Sequence, residues 1–193
     1  IALRYAKQER VGDTVLTGVN TFVAVPRSIY RAGLTPEYAR ISPHTFSLDV
    51  DDVVRSIERR RPAVVLLVHI AGLVDPQLWR LLGLCRELQI PVIEDASHAH
   101  GAMLGERMIG SLGLAGCFSL YATKIITSCV GGMITTDSVE LDCFARAFRH
   151  HGAYDGVDVS RPAVQHGADY LMSEANAALG LALPAMAGSP HFV

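Results

Sequence analysis

The sequence predicts a single α/β domain built on a largely parallel sheet, and three observations carry that expectation. Apolar runs of strand length alternate with segments of helical period, a spacing that calls for parallel strands joined by right-handed helical crossovers. The chain has 193 residues, 50% of them hydrophobic, enough for one sizeable core. One apolar run, Pro91-Val92-Ile93, ends in Glu94-Asp95 and so reads as a buried strand delivering a carboxylate at its carboxyl end, the edge where open α/β sheets bind ligands.

The elements follow in order. Residues 1–10 read as the end of a helix, and Val11-Gly12-Asp13 turns the chain into a short strand over 14–17. A helix is expected over 28–32 and a strand over 37–41. Asp49 or Asp51 can cap a helix through Val53, Val54 and Ile57, closed by Arg59-Arg60-Arg61, cations that suit a helix C-terminus, and stopped by Pro62. Residues 63–68 form a fully apolar strand, after which His69 reads as a hydrogen-bonded structural histidine at a strand end. Asp75-Pro76 supplies a cap and first-turn proline for a helix to Leu88, with Leu78, Leu81, Leu82 and Cys85 on one face. A second apolar run, 117–121, leads to Lys124, and a strand over 133–136 precedes a helix over 139–148. Residues 153–168, rich in Gly, Asp and Ser, read as a loop, and Ser173 caps a last helix through Ala175, Ala178, Leu179 and Ala182.

Composition excludes several classes. With 17 basic and 19 acidic residues, the net charge of −2 gives no electrostatic case for nucleic acid or an anionic membrane surface. Cys85, Cys117, Cys129 and Cys143 have no metal-ligand spacing and read as thiols of a reducing cytoplasm. His150-His151 has no acidic or cysteine partner at a spacing that would hold a metal. Neither GxGxxG nor a P-loop is present, which argues against a nucleotide-binding α/β domain. No signal peptide or apolar run of membrane-spanning length appears.

The densest chemistry lies between Pro91 and Gly132. Lys7 and Lys124 are the only lysines, so a lysine just beyond a strand, following an acid at another strand's end, points to a Schiff-base site. The segments EDASHAHGA, FSLYATK and GGMITTD resemble the DegT/DnrJ/EryC1/StrS family of pyridoxal-phosphate (PLP) aminotransferases, mostly acting on sugars. That resemblance covers nearly the whole chain and implies the three-layer α/β/α large domain of PLP-dependent transferase fold type I. It places Lys124 on the lysine that carries the cofactor and Asp95 on the partner of the pyridine nitrogen. His98 falls beside the ring, Ser119 on the phosphate and Phe22 on the aromatic stacked against the ring, although a Phe after a strand, taken alone, is more often core packing. It further implies a homodimer that shares its active sites, a nucleotide-linked keto-sugar as substrate and glutamate as amino donor. Lys124 also argues against the family's dehydratase branch, in which histidine replaces lysine.

The sequence departs from the family pattern near its end. Where the family has Asn-Tyr-Arg-Met-Ser-Glu, this chain has Asp169-Tyr170-Leu171-Met172-Ser173-Glu174. The family asparagine commonly reaches a neighbouring subunit's cofactor phosphate, so Asp169 would bring like charge there. With no initiator Met, the chain reads as a fragment: residues 1–183 as most of the large domain without its first phosphate-binding turn, 184–193 as an irregular tail, and no small C-terminal domain. A truncated or degenerate non-catalytic relative is the alternative reading.

Overall fold

The computed structural model describes residues 1–8, 12–152 and 167–187. In chain order the elements are α1 (Ala2–Gln8), β1 (Thr14–Gly18), α2 (Ala24–Arg31), β2 (Thr35–Ala39), α3 (Val50–Arg60), β3 (Val64–Val68), α4 (Leu78–Glu87), β4 (Val92–Asp95), the short hairpin β5 (Met103–Leu104) and β6 (Arg107–Met108), β7 (Ala115–Ser119), β8 (Gly132–Thr135), α5 (Val139–Arg149) and α6 (Glu174–Ala187). Six strands form one sheet in the order β2-β1-β3-β4-β7-β8. All neighbours run parallel except the pair β7 and β8.

Both faces of the sheet are covered, and β3 shows why its sequence is continuously apolar. Val65 and Leu67 pack under α3 and α4 with Val53, Ile57, Leu78 and Leu81. Val64 and Leu66 face the other way, against Leu3, Ile29, Leu141 and Phe144 of α1, α2 and α5. A strand buried on both sides cannot alternate apolar with polar residues. The result is the three-layer α/β/α arrangement expected from the sequence.

The local signals act as anticipated in most places. Asp49 caps α3 by accepting the Asp52 N–H at 3.0 Å, and Arg61 ends the helix in the left-handed region with φ 37°. Ser138 caps α5 by accepting the Leu141 N–H at 3.1 Å. The main departures from expectation lie at four places, other boundaries moving by a residue or two. The helix expected over 28–32 starts earlier, at Ala24. Strand β2 begins at Thr35 and ends at Ala39, two residues ahead of the range expected, because Pro36 is tolerated on an edge strand. Asp75 accepts the Gln77 N–H at 2.8 Å, but Pro76-Gln77 forms a turn and α4 starts at Leu78. Helix α6 continues through Pro184 to Ala187, so the stretch expected to be irregular from 184 begins as helix; proline removes one backbone donor without ending the element. Of the loop expected over 153–168, residues 153–166 lie outside the described residues, as do 188–193.

Candidate active site

The carboxyl ends of β3, β4 and β7, with the segment that follows β1, line a cavity of about 850 Å³. Asp95 is the last residue of β4 and Ser119 the last of β7, while His69 follows β3 directly. Phe22 lies in the loop beyond β1, and Lys124 in the loop beyond β7. Phe22, Asp95, His98, Ser119 and Lys124 all line this one cavity. Residues spread over a hundred positions of sequence therefore converge because parallel strands put their carboxyl ends on the same side.

Three of these side chains, Asp95, Ser119 and His98, are held by backbone hydrogen bonds. The Asp95 carboxylate accepts the Ser97 N–H at 3.0 Å, which fixes one oxygen in a tight turn. Ser119 Oγ accepts the Tyr121 N–H at 3.3 Å, leaving its own proton free to donate. His98 Nδ1 accepts the Ala71 N–H at 3.3 Å. A backbone N–H can only donate, so neutral His98 carries its proton on Nε2. The turn that presents this N–H is strained: Ala71 has φ 53°, and Gly72 (φ 75°) packs so closely that a β-carbon would lie 2.8 Å from the His98 carbonyl oxygen. Phe22 is 70% exposed, which rules out the core-packing role and leaves its ring available to a ligand. The Lys124 side chain is half-buried, and among described residues lining the cavity it is the only Lys or Arg.

Beneath the cavity lies a group whose part the sequence did not disclose. Glu94 is fully buried and accepts four hydrogen bonds. Leu112 and Gly113 N–H groups bind Oε1 at 2.8 and 3.0 Å; Gly110 N–H and His69 Nε2 bind Oε2 at 2.9 and 3.1 Å. Burial pushes this carboxyl up, but His69 and the three backbone donors outweigh it and hold Glu94 below the usual carboxylate range. The ionised carboxylate accepts only, so His69 donates from Nε2, the hydrogen-bonded structural role expected for it. Glu94 thereby ties β3 and the 110–113 loop to β4, next to Asp95.

His100 packs against Phe118 with ring centroids 5.3 Å apart. Burial is the main cause that lowers its pKa; the Ser119 backbone opposes it, and Lys124 and His98 lower it by smaller amounts. Neither of its ring nitrogens reaches a partner with hydrogen-bond geometry among the described residues, so the Ser119 backbone approaches the ring without completing a bond. Asp169 lies outside the cavity lining, exposed, with Oδ1 accepting the Leu171 N–H at 3.2 Å. The thiols are unpaired, and burial pushes Cys85 up to about 12 and Cys117 to about 11, so both stay protonated.

Replacing Glu94 tests its place in this network. Glu94→Gln puts an amide NH₂ against backbone donors and is expected to cost about 3 kcal/mol at neutral pH. The native carboxyl has a lowered folded-state pKa, so its contribution is present above the ordinary value of 4.5 and is lost as pH falls through the folded value. Urea midpoints of both proteins should therefore differ widely at neutral pH and converge in acid. A constant gap would show that the charge contributes nothing.

An α/β/α domain with an amine, a carboxylate, a hydroxyl and an imidazole gathered at the carboxyl edge of its sheet has the ligand-site arrangement of open α/β folds. Comparison with known proteins gives the family. The sequence profile of the DegT/DnrJ/EryC1/StrS aminotransferase family matches residues 1–185, and the chain belongs to that family. It is 36% identical over 174 residues to the GDP-perosamine synthase of Caulobacter vibrioides, covering 89% of this chain and 45% of that protein. It is 37% identical over 141 residues to the spore coat polysaccharide biosynthesis protein SpsC of Bacillus subtilis, covering 73% of this chain and 36% of the relative. Among solved structures, DesI in the presence of its TDP-sugar product superposes with a TM-score of 0.80 at 32% identity, over 96% of this chain and 45% of that one. The chain spans less than half the length of these curated relatives. No helix among the described residues is long and apolar enough to cross a membrane.

Proposed function

We propose that this chain is the cofactor-binding part of a PLP-dependent aminotransferase that moves an amino group, with glutamate as donor, onto a nucleotide-linked keto-sugar. The observation that carries the reading is the convergence of Lys124, Asp95, Ser119, His98 and Phe22 on one cavity. Its volume of about 850 Å³ falls in the range of ligand sites and suits a cofactor with part of a substrate. Names of relatives support the substrate class. One is a GDP-perosamine synthase, one a UDP-N-acetyl-3-dehydro-alpha-D-glucosamine 3-aminotransferase from Acidithiobacillus ferrooxidans, and one structure holds a TDP-sugar. The nucleotide varies among them and the sugar link is common.

The residues present fit the cofactor's chemistry. When bound, the group supplies an aldehyde that can carry an amine and a pyridinium ring that withdraws electrons. Lys124 Nζ would hold the aldehyde carbon between turnovers and, once displaced by the incoming amine, move a proton between substrate carbon and cofactor. The Asp95 carboxylate would keep a proton on the ring nitrogen. Phe22 would cover one face of the ring, the His98 Nε2–H would donate to its hydroxyl, and the Ser119 hydroxyl would donate to the phosphate. Four unpaired thiols suit the reducing cytoplasm in which we place the enzyme.

Borohydride reduction in the presence of pyridoxal phosphate, followed by peptide mapping, tests the reading. The label should appear on Lys124. Label on Lys7, or none, would overturn it in favour of a non-catalytic relative.

The enzyme is proposed to act as a homodimer in which the segment ending at Asp169-Tyr170 faces the neighbour's phosphate. Asp169→Asn removes a carboxylate from that approach yet keeps the oxygen that accepts the Leu171 N–H, so the local turn survives. Cofactor binding should tighten by about 1 kcal/mol. Titration at low and high salt should show the gap shrinking as salt rises. Equal affinities at every salt concentration would mean that Asp169 points elsewhere.

A further inference from the structure

Lys124 sits in a loop that leaves β7 and returns as β8. Its own N–H donates to Tyr121 O at 2.9 Å, closing a turn. The base of the loop is tied at Leu120, whose N–H donates to Gly131 O and whose carbonyl accepts the Ser128 N–H, both at 2.9 Å. Thr127 Oγ1 donates to the same carbonyl at 3.1 Å. The chain then makes a γ-turn centred on Cys129, with Val130 N–H on Ser128 O at 2.8 Å and φ 65° at Cys129. A γ-turn of this hand is rare and strained for a residue with a β-carbon.

Helix α6 supports that turn from outside. Asn176 Nδ2 donates to both flanking carbonyls, Ser128 O at 2.6 Å and Val130 O at 3.0 Å, which uses both of its hydrogens. Its Oδ1 accepts the Ser173 hydroxyl at 2.6 Å, and Ser173 Oγ in turn accepts the Asn176 N–H at 3.2 Å. The helix cap therefore also locks the orientation of the amide. The fit is close, since a β-carbon on Gly131 would lie 2.5 Å from Met172 Cε and 2.6 Å from Ser128 Oγ. Gly131 itself lines the cavity.

We propose that Asn176 is a positioning residue for Lys124, holding the strained Ser128–Val130 turn on α6 so that the loop presents the lysine at a fixed height over the cavity. The inference rests on the reading of Lys124 as the cofactor lysine. Without the clamp, the strain at Cys129 favours opening, and the amine on its flexible stem is no longer held at reacting distance.

The test compares Asn176→Asp, which keeps the shape but removes both donors and sets a carboxylate against two carbonyls, with Asn176→Gln, which retains the donors. Amide hydrogen exchange read by mass spectrometry on cofactor-free protein should speed up about tenfold across 120–131 in the Asp variant, the effect of losing one to two hydrogen bonds. Exchange in β3 and β4 should not change. Pyridoxal-phosphate affinity and kcat should fall by a similar factor with KM for the sugar unaltered, and Asn176→Gln should recover part of each. Unchanged exchange in 120–131 would overturn the proposal, as would a rise shared equally with β3 and β4. Faster loop exchange with affinity and kcat intact would reduce Asn176 to a structural anchor, overturning it too. Failure of the wild-type protein to bind pyridoxal phosphate would instead remove the functional reading, while loop exchange would still decide whether Asn176 holds the turn.

Discussion

Lys124→Ala is expected to abolish turnover, lowering kcat by about three orders of magnitude or more, while leaving the fold intact. The size follows from the two roles given to one amine. It would hold the cofactor covalently and carry the proton between substrate and cofactor, and loss of a positioned proton carrier alone costs about 10²–10⁴-fold. Stability should change by no more than about 0.5 kcal/mol, because the Lys124 amine makes no hydrogen bond or ion pair with the described residues. Nothing nearby can substitute: the only other lysine, Lys7, lies on α1 and donates to the Gly33 carbonyl. The measurement is single-turnover amine transfer beside thermal unfolding of both proteins. Residual turnover within tenfold of wild type would remove Lys124 from the reaction. A large drop in unfolding temperature would assign the lysine to the scaffold.

Much of the site was legible because its residues sit where short-range signals end. Asp95 closes an apolar run and Lys124 follows another in a lysine-poor chain, so strand period and composition single those two out, whereas Ser119, inside the run 117–121, came from the family pattern. Phe22 was not decidable from its own neighbourhood. Only the family pattern placed it beside the ring, and its exposure in the fold is what separates it from core aromatics. The network around Glu94 was invisible for a different reason. In sequence Glu94 is simply the first of two acids at a strand end, whereas its meaning comes from four donors, His69 beyond β3 and three in the 110–113 loop, that surround it only in three dimensions.

Asn176 was harder still, lying 48 residues beyond the carbonyl it holds. A half-buried asparagine inside a helix carries no period and no charge, and its two acceptors belong to backbone. Such contacts leave no trace in side-chain patterning. The boundary errors have a similar origin. Strand β2 and helix α6 each run through a proline, Pro36 on an edge strand and Pro184 within a continuing helix, where the missing donor is tolerated.

Asp95→Asn should leave cofactor binding largely intact yet cut turnover by one to two decades. The residue sits at the end of β4 with one oxygen, Oδ1, engaged by the Ser97 N–H. Asparagine can keep that bond through its own Oδ1, so the turn after the strand, and with it the placement of His98, is expected to survive. What the amide cannot do is hold a proton on the ring nitrogen by charge. A charge-assisted hydrogen bond of this kind contributes about 1.5–3 kcal/mol, and when it is felt mainly in the transition state the loss appears in kcat. In the proposed site, cofactor affinity would depend chiefly on Lys124, Ser119 and the stacking at Phe22, none of which the substitution touches. Measuring kcat, KM and the cofactor dissociation constant of Asp95→Asn beside wild type separates these contributions. A variant with near-native kcat would show that Asp95 does not face the ring, and one that loses cofactor and turnover together would make it a binding group instead of the partner that tunes the ring's chemistry.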